Sequence, residues 1–434
     1  MKIYELSKIP GIGNQPPKEP DYEAIYASGY SAGYDDGYAS VPCYEKQYLT
    51  IEVISGGTLY YGRLGTRGYY RLNGGEWVSA REGEDRSINV VPGDKIELKS
   101  GDERGYSLGK LFSGVSMPEE YIVYGNLLSV SWADDFIGKT TFNGVEPGFG
   151  SFFEGCTGLT DASNLIMPPY VAELGNGCYN KMFKGCTNLR YGPVLPATTL
   201  QINGYKEMFR DCSSLVSAPE LPAETLGGSC YYGMFQGCTS LVSAPVLPAT
   251  ALTYDGYGYM FNGCTSLVNA PALPASELAE MCYDHMFSGC TSLTTAPYLG
   301  STTLAKSCYA YMFYGCTSLV NVQEVLPATT LADLCYSSMF NGCSSLEMAP
   351  ELPATSYVGP SGAYVHMFRN CNSLNYVKCM LINGLEDYGY DPIYLGENWI
   401  SGSNAGTFVK HPEATWRLNS TGGVPQGWTV IDAS

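Results

Sequence analysis

The chain has 434 residues, and its 24 Lys and Arg against 42 Asp and Glu give a formal charge of −18. So acidic a protein is repelled by phosphate backbones and anionic membranes, which makes nucleic acid and lipid surfaces poor partners. No uncharged apolar run is long enough to span a bilayer, and a chain of this length is expected to contain more than one structural unit.

The beginning of the chain carries no recognisable export address. Residues 1–7 lack the apolar run of a secretion signal. Two explanations stay open: the signal was removed beforehand, or the protein leaves its cell by lysis or as part of a virion. The starting Met favours the second explanation. We therefore expect a virion location, with the bacterial cell surface as the alternative.

Residues 1–20 are rich in proline and are predicted to form an extended arm. In residues 21–41, tyrosines recur every four residues with glycines beside them, so a helix would place both sets where a second helix can approach closely. We interpret this segment as a helical stalk for oligomerisation or docking, with a flexible linker as the alternative. The residues assigned to this role are Tyr22, Tyr26, Gly29, Tyr30, Gly33, Tyr34, Gly37 and Tyr38. A homo-oligomer is expected, and a trimer is a guess from how fibres usually assemble.

Residues 46–135 change to a strand pattern. Runs of β-forming residues at 50–54, 68–72 and 95–98 are separated by turns that contain glycine. Asn73 followed by Gly74 is a strong signal for a hairpin. We predict a small antiparallel β-sandwich that joins the stalk to the rest of the chain.

One phrase, Met-Phe-x-Gly-Cys-Thr-Ser-Leu or a close variant, recurs through residues 146–380. Its phenylalanines, called phrase phenylalanines below, are Phe153, Phe183, Phe209, Phe235, Phe261, Phe287, Phe313, Phe340 and Phe368. Most of them are 26 residues apart, and so regular a period means one unit stacked on copies of itself. We predict an α+β repeat solenoid of about nine coils, whose function lies on a repeated surface and is binding rather than catalysis.

Each repeat unit is predicted to combine a helical turn with a short strand. Leu278, Cys282 and Met286 stand four residues apart, which predicts one apolar face of a short helix or helical turn. Gly289 is expected to end it in the left-handed conformation, and Pro297 to force a corner. Each coil would add one strand to a parallel sheet on one face of the solenoid and a helical turn to the other.

The cysteines follow the repeat. Of the sixteen, all but Cys43 lie in the repeats, mostly three residues after or five residues before the phrase phenylalanine. Gly204 and Ala363 replace cysteine at the second of these positions. A small buried site tolerates such a replacement, whereas a disulfide or a zinc site would lose a required cysteine. We predict reduced, buried thiols. The tyrosine four residues before the phrase phenylalanine and the leucine six residues after it are also assigned to the core.

Two positions of the repeat vary in chemistry and are expected to face solvent: the second residue before the phrase phenylalanine and the first after it. Tyr259, His285, Tyr311 and Tyr314 at these positions form a candidate aromatic patch that would stack on sugar rings or anchor a protein. His366 stands at the first of the two positions and is included in the candidate ligand site. A merely solvated face is the alternative.

The phrase, with Leu six residues after its Phe and Ala-Pro-x-Leu-Pro-Ala-Thr beyond, resembles the BspA-type leucine-rich repeat over residues 146–380. The resemblance implies leucine-rich-repeat-like coils. Members of this family are abundant in surface and phage-associated proteins of gut Bacteroidetes and look like adhesins and host-contact proteins with diverse ligands. This sequence departs from the family pattern in having Met-Phe for Ala-Phe, and Ala-Pro where strand positions usually hold Ile or Val. Short or irregular strands are therefore expected.

The last segment, residues 381–434, breaks the repeat and contains Trp399, Trp416 and Trp428. A solenoid needs an end cap over its last apolar coil, and these indoles are predicted to supply it. Sugar binding by Trp399 or Trp416 is the alternative, and Trp399 is retained as a candidate ligand-binding residue.

No pattern of catalytic residues emerges. The only histidines are His285, His366 and His411, and no Ser-His-acid set, phosphate loop or calcium loop is visible. Cys282 and His285 can be drawn as a thiol and base pair, but Cys282 belongs to a position predicted to be buried. We predict a protein that is not an enzyme and has no cofactor and no metal.

These features together predict a receptor-binding protein of a virion, namely a phage tail fibre or a baseplate-attached adhesin. The solenoid would recognise a bacterial surface glycan or protein, and the N-terminal segment would contact other virion proteins. The alternative is a bacterial cell-surface leucine-rich-repeat adhesin whose signal has been removed.

Overall fold

The computed structural model describes residues 46–60, 68–80, 87–101, 118–139, 148–168, 175–358, 362–382, 398–403, 405–416 and 423–434. The predicted arm (1–20) and helical stalk (21–41) lie outside the described residues. Two compact units make up the chain, Met1–Cys43 and Tyr44–Ser434, and the architecture below is that of the second unit.

A mixed β-sheet precedes the repeats. Its chain segment contains β1 (Leu49–Val53), β2 (Gly57–Tyr60), β3 (Gly68–Leu72), β4 (Val78–Ser79), β5 (Ser87–Val90), β6 (Lys95–Ser100), β7 (Tyr121–Asn126) and the short helix α1 (Ser129–Trp132). The main sheet has the order β4-β3-β6-β1-β7 and ends on β8 (Leu159–Ile166), while β2 and β5 form a separate pair. Alternate residues such as Leu49, Ile51 and Val53 are buried, as expected for a strand with one face on a core.

The prediction of antiparallel strands is confirmed for β1, β3, β4 and β6. The predicted hairpin also forms, because Asn73 and Gly74 both take positive φ, at 50° and 71°, between β3 and β4. One expectation needs correction: β7 pairs with β8 in parallel. Strand β8 follows the first phrase, and Asp161 within it bridges Tyr191 of the next coil in parallel. The sheet thus continues into the repeats instead of forming a purely antiparallel sandwich.

The predicted helix in each repeat is wrong for the repeat residues that the structure describes. A run of turns takes its place, from the seventh residue before the phrase phenylalanine to the second after it, as in residues 280–289. Alternate amides have different partners. In residues 281–289, the Tyr283 N–H donates to Cys308 of the next coil at 3.1 Å, whereas the Met286 N–H donates to Tyr283 within its own coil at 3.2 Å. In a helix the Phe287 N–H would donate to Tyr283, four residues earlier, but here it donates to Met312 of the next coil at 2.9 Å.

Every fourth residue of this turn run has a left-handed backbone. In residues 281–289 these are Met281, His285 and Gly289, with φ of 58°, 53° and 73°. Gly289 is therefore left-handed as predicted, but as one member of the turn run and not as a helix cap. The four-residue spacing of buried side chains is shared by the helix and by this run of turns.

Strands in the repeats are short, as the departures from the family pattern led us to expect. Parallel contacts between coils are mostly isolated bridges, such as Asn269 with Thr295. Strands β9 (Thr330–Leu331) and β10 (Ser356–Tyr357) have only two residues each. At the C-terminal end, β11 (Tyr376–Cys379), β12 (Thr407–Lys410) and β13 (Thr429–Asp432) pair in parallel.

The core between coils consists of aligned side chains. Each phrase phenylalanine stacks on the next from Phe153 to Phe368, with centroids 5.3–5.8 Å apart. A second stack of tyrosines runs from Tyr179 to Tyr364. The described cysteines are all buried and free, which confirms the prediction of buried, reduced thiols for them.

Candidate functional site

The structure brings together all four residues of the predicted aromatic patch. The Tyr259 and His285 rings stack with centroids 4.3 Å apart and an interplanar angle of 11°, and His285 stacks on Tyr311 at 4.3 Å and 10°. Two tilted rings extend this row: Tyr232 lies 5.3 Å from Tyr259 at 44°, and Tyr314 lies 5.9 Å from Tyr311 at 49°. We call these five residues the aromatic ladder.

Within the ladder His285 is stacked on both faces, and Tyr259 and Tyr311 are each stacked on the face toward it. Because Tyr259, His285 and Tyr311 stack on one another, the facing sides of their rings are covered, and the predicted stacking of sugars on them is not available there. The hydroxyls of Tyr259 and Tyr311 are not among the buried side-chain atoms that lack a partner, and both side chains are half-buried. Tyr314 is different: it is 44 % exposed and tilted out of the stack.

The three inner residues hold an unfavourable backbone conformation. Tyr259, His285 and Tyr311 have φ of 58°, 53° and 54°, a region that costs most L-residues about 1 kcal/mol or more. Gly233 occupies the same position one coil earlier, at φ 57°, and shows the residue type that fits without this cost. The position is also left-handed in coils that hold Lys181, Glu207 or Ser338, so this conformation belongs to the repeat and not to the aromatic residues.

Two carboxylates flank the ladder. The Asp284 Oδ2 atom contacts His285 Nδ1 at 2.8 Å. Burial, reinforced by the charge of Asp284, raises the pKa of Asp255 to about 6. Burial and the charge of Asp284 likewise raise the pKa of Tyr259 to about 12. The Lys206 Nζ atom lies 4.8 Å from the centre of the Tyr232 ring, a cation–π contact.

Amide and hydroxyl groups stand at the first residue after the phrase phenylalanine in the coils of the ladder. The Gln236 Nε2 atom donates to Asn262 Oδ1 at 3.1 Å, which links two coils. Ser288 follows one coil further on, and Tyr314 one coil beyond it. Each inner ring of the ladder is thus followed, three residues later in the chain, by an uncharged hydrogen-bonding residue, and Asp255 and Asp284 precede Tyr259 and His285.

Sequence reasoning missed Tyr232. It stands three residues before its phrase phenylalanine, at a position where other coils have Gly258, Asp284 or Ala310, and this position had not been assigned to the surface. An aromatic side chain at a position that holds small or polar residues in most other coils was the sequence signal that could have indicated a surface role for Tyr232. Sequence reasoning also missed a row of exposed valines at the seventh residue after the phrase phenylalanine: Val216, Val242, Val268 and Val320.

Two predicted site residues do not join the ladder. His366 has the left-handed φ of its position, 55°, but Ser338 stands between it and Tyr311 in the coil order. Trp399 is fully buried, and its Nε1–H donates to the Gly423 carbonyl at 2.9 Å. The prediction of Trp399 as a ligand-binding residue is wrong, because its ring packs on Tyr364 and Trp416 inside the protein.

Cys282 and His285, considered above as a thiol and its general base, do not have the features of a catalytic pair. Burial raises the pKa of the Cys282 thiol to about 12, and a thiol, unlike a thiolate, is a poor nucleophile. His285 directs Nδ1 to Asp284 instead. In the part of the chain that the structure describes, no group of three or more His, Cys, Asp or Glu could hold a metal ion. No described helix is long and apolar enough to cross a membrane.

Each coil buries one leucine, one phenylalanine and one cysteine and exposes side chains that vary between coils. These features define a leucine-rich repeat protein. The repeat region belongs to the family described as BspA type leucine rich repeat region, whose model matches residues 177–319 and 257–388 with 6 copies. No curated protein matches the chain.

The solved structures that are similar to this chain include three leucine-rich repeat proteins. A leucine-rich repeat protein from Bacteroides ovatus is 14% identical, with 76% of this chain and 90% of that chain covered and a TM-score of 0.34. A leucine rich cell surface protein from Faecalibacterium prausnitzii is 14% identical, with 70% and 93% covered and a TM-score of 0.26. A leucine-rich repeat protein from T. pallidum is 17% identical, with 59% and 84% covered and a TM-score of 0.19.

Proposed function

We propose that this protein is a non-enzymatic adhesin of the bacterial cell surface and that the aromatic ladder holds its ligand. Membership of the BspA-type repeat family, whose members look like adhesins, supports the general role. The observation that carries the site is the stacking of the Tyr259, His285 and Tyr311 rings, whose neighbouring centroids lie 4.3 Å apart. Half-buried aromatic rings in three successive coils, at a position that holds Lys, Glu, Gly or Ser in other coils, form a candidate ligand site.

The finer prediction from the sequence, a phage tail fibre or baseplate adhesin, stays a prediction. It shares the same recognition surface, so the two locations differ in the partner at the N-terminal segment and not in the ladder. A gene neighbourhood of tail genes would favour the virion. The partners proposed for either location are a cell-surface glycan or protein and further copies of this chain.

The test uses the full chain with Tyr259, His285 and Tyr311 all changed to Asn, which accepts a left-handed backbone. Beads coated with this variant and with the unchanged protein are counted on cultured epithelial cells and on bacterial cells. We expect bead binding to fall at least about tenfold, which corresponds to 1.4 kcal/mol, while the melting temperature stays within a few degrees. The matched control is Tyr298→Asn, which removes a tyrosine that is 70% exposed and outside the ladder.

The proposal fails if the triple variant binds as the unchanged protein does, or if Tyr298→Asn loses as much binding. A triple variant that melts far below the unchanged protein also contradicts it, since the rings would then be retained for stability.

A further inference from the structure

We propose that the ligand of the aromatic ladder is a linear glycan that lies along the row of rings, and not the surface of a folded protein. This inference rests on the proposed function and names the class of ligand for the same site. It depends on which parts of the rings are accessible, on the groups beside them and on the direction in which they repeat.

The accessible parts of the inner rings are polar. With the facing sides of Tyr259, His285 and Tyr311 covered by stacking at 4.3 Å, a ligand meets ring edges. The edges of Tyr259 and Tyr311 carry hydroxyls that are donors and acceptors, and His285 has Nε2 in addition to the Nδ1 that contacts Asp284. Such a row forms hydrogen bonds more readily than it buries apolar area.

The flanking groups have the same character. Asp255 and Asp284 accept hydrogen bonds, and the amides of Gln236 and Asn262 donate and accept them. Sugar hydroxyls are both donors and acceptors, so they are matched by this mixture of carboxylate, amide and phenol groups.

One ring face remains for an apolar contact. Tyr314 is exposed and turned by 49° from the plane of Tyr311, so it offers a platform for the C–H face of a sugar ring at the end of the row. At the opposite end, Lys206 lies over Tyr232. The inner rings and the residues that follow the phrase phenylalanines recur once per coil, so they match a ligand whose own polar groups repeat along the axis of the stack. The carboxylates of Asp255 and Asp284 stand at different positions of their coils.

A protein ligand fits this surface less well. The centre of a protein interface is normally a desolvated apolar cluster. Four of the five ladder residues stand at the second residue before the phrase phenylalanine or the first after it, and neither position contains an aliphatic residue in the coils from Lys181 to Arg369. The position of Tyr232 holds Ala310 and Val365 in other coils. The exposed valines, such as Val242 and Val268, lie in another segment of the coil.

The first experiment compares hydroxyl removal with ring removal in the full chain. The double variant Tyr259→Phe and Tyr311→Phe keeps the stacked rings and loses only their two hydroxyls. For a glycan we expect bead binding to cells to fall about tenfold, because two hydrogen bonds are lost. Tyr314→Phe should bind as the unchanged protein does, whereas Tyr314→Ala should not. A double Phe variant that binds equally well or better overturns the glycan proposal.

The second experiment treats the target cells. Mild periodate cleaves the vicinal diols of sugars, and a protease removes surface proteins. We expect periodate alone to abolish the ladder-dependent binding. Binding that survives periodate but is lost after protease means a protein ligand, which overturns this inference and leaves the proposed function standing. If the Asn triple variant binds as well as the unchanged protein, the proposed function itself is wrong. The two failures are therefore distinguishable.

Discussion

At the scale of single residues, the repeated cysteines act as hydrogen-bond donors inside the core. The thiol three residues after each phrase phenylalanine donates to the carbonyl of the preceding phrase phenylalanine, as Cys264 Sγ does to Phe235 O at 3.1 Å. That carbonyl also accepts the Cys238 N–H of its own coil at 3.0 Å. Both lone pairs of a buried oxygen are therefore used, and a cysteine fits where alanine would leave one acceptor site empty.

We expect Cys264→Ala to lower the free energy of unfolding by about 1–2 kcal/mol, because a buried hydrogen bond and a small volume are lost. The matched control is Thr265→Ala at the next residue, which is exposed and should change stability by less than about 0.5 kcal/mol. The measurement is urea unfolding followed by tryptophan fluorescence. Equal effects of the two substitutions would show that the thiol does not stabilise the coils.

Residue identity alone predicted part of the ladder. Tyr259, His285, Tyr311 and Tyr314 were singled out because their positions vary between coils while the core positions do not. Their mutual stacking could not be derived, since it depends on the left-handed backbone that aligns one ring above the next. Trp399 was misassigned because a tryptophan in a polar segment suits a sugar platform and an end cap equally well in sequence.

At the scale of the repeat element, the sequence predicted the spacing but not the backbone. Leu278, Cys282 and Met286 recur every four residues, which places them on one side of either a helix or a run of turns. The left-handed residues decide between the two, and Met281 is not of a type that favours positive φ. Hydrogen bonds to the next coil stabilise the left-handed backbone, since alternate amides such as that of Tyr283 donate there. These long-range bonds cannot be predicted from the sequence of a single repeat.

Gly289→Ala tests this backbone. Gly289 has φ 73° and its added Cβ would meet only ordinary contacts, the nearest at 3.6 Å, so the cost should come from the conformation alone. We expect the free energy of unfolding to fall by about 1 kcal/mol, and Gly289→Asn to fall less, because Asn tolerates this region. The control is Gly300→Ala, at an exposed glycine without positive φ. Equal thermal stability of all three variants would contradict the turn geometry.

At the scale of the molecule, both ends of the stacked coils are covered. The N-terminal sheet meets the first coil through β7 and β8. At the other end, the Trp399 ring lies 6.1 Å from Tyr364 and 6.3 Å from Phe368, so it covers the last member of both aromatic stacks. This arrangement supports the interpretation of the C-terminal tryptophans as an end cap, which repeat proteins need because each coil is stabilised mainly by its neighbours.

Trp399→Ala should therefore destabilise the C-terminal coils first, at a cost of about 3–5 kcal/mol for a buried tryptophan. Hydrogen exchange measured by mass spectrometry should show faster exchange in residues 362–382 and unchanged protection in β1 and β6. The control, Val246→Ala, alters a side chain that is 80% exposed. Uniform loss of protection along the whole chain would mean that the coils unfold as a single unit and that the end has no special role.

The parallel pairing of β7 with β8 has a mechanical consequence. In the proposed adhesin role, the protein carries tension between its anchor and its ligand. Tension that enters through the N-terminal sheet passes into the first coil across a backbone ladder from Tyr121 to Asn126. Separating the sheet from the first coil would therefore require breaking the backbone hydrogen bonds of this parallel pair.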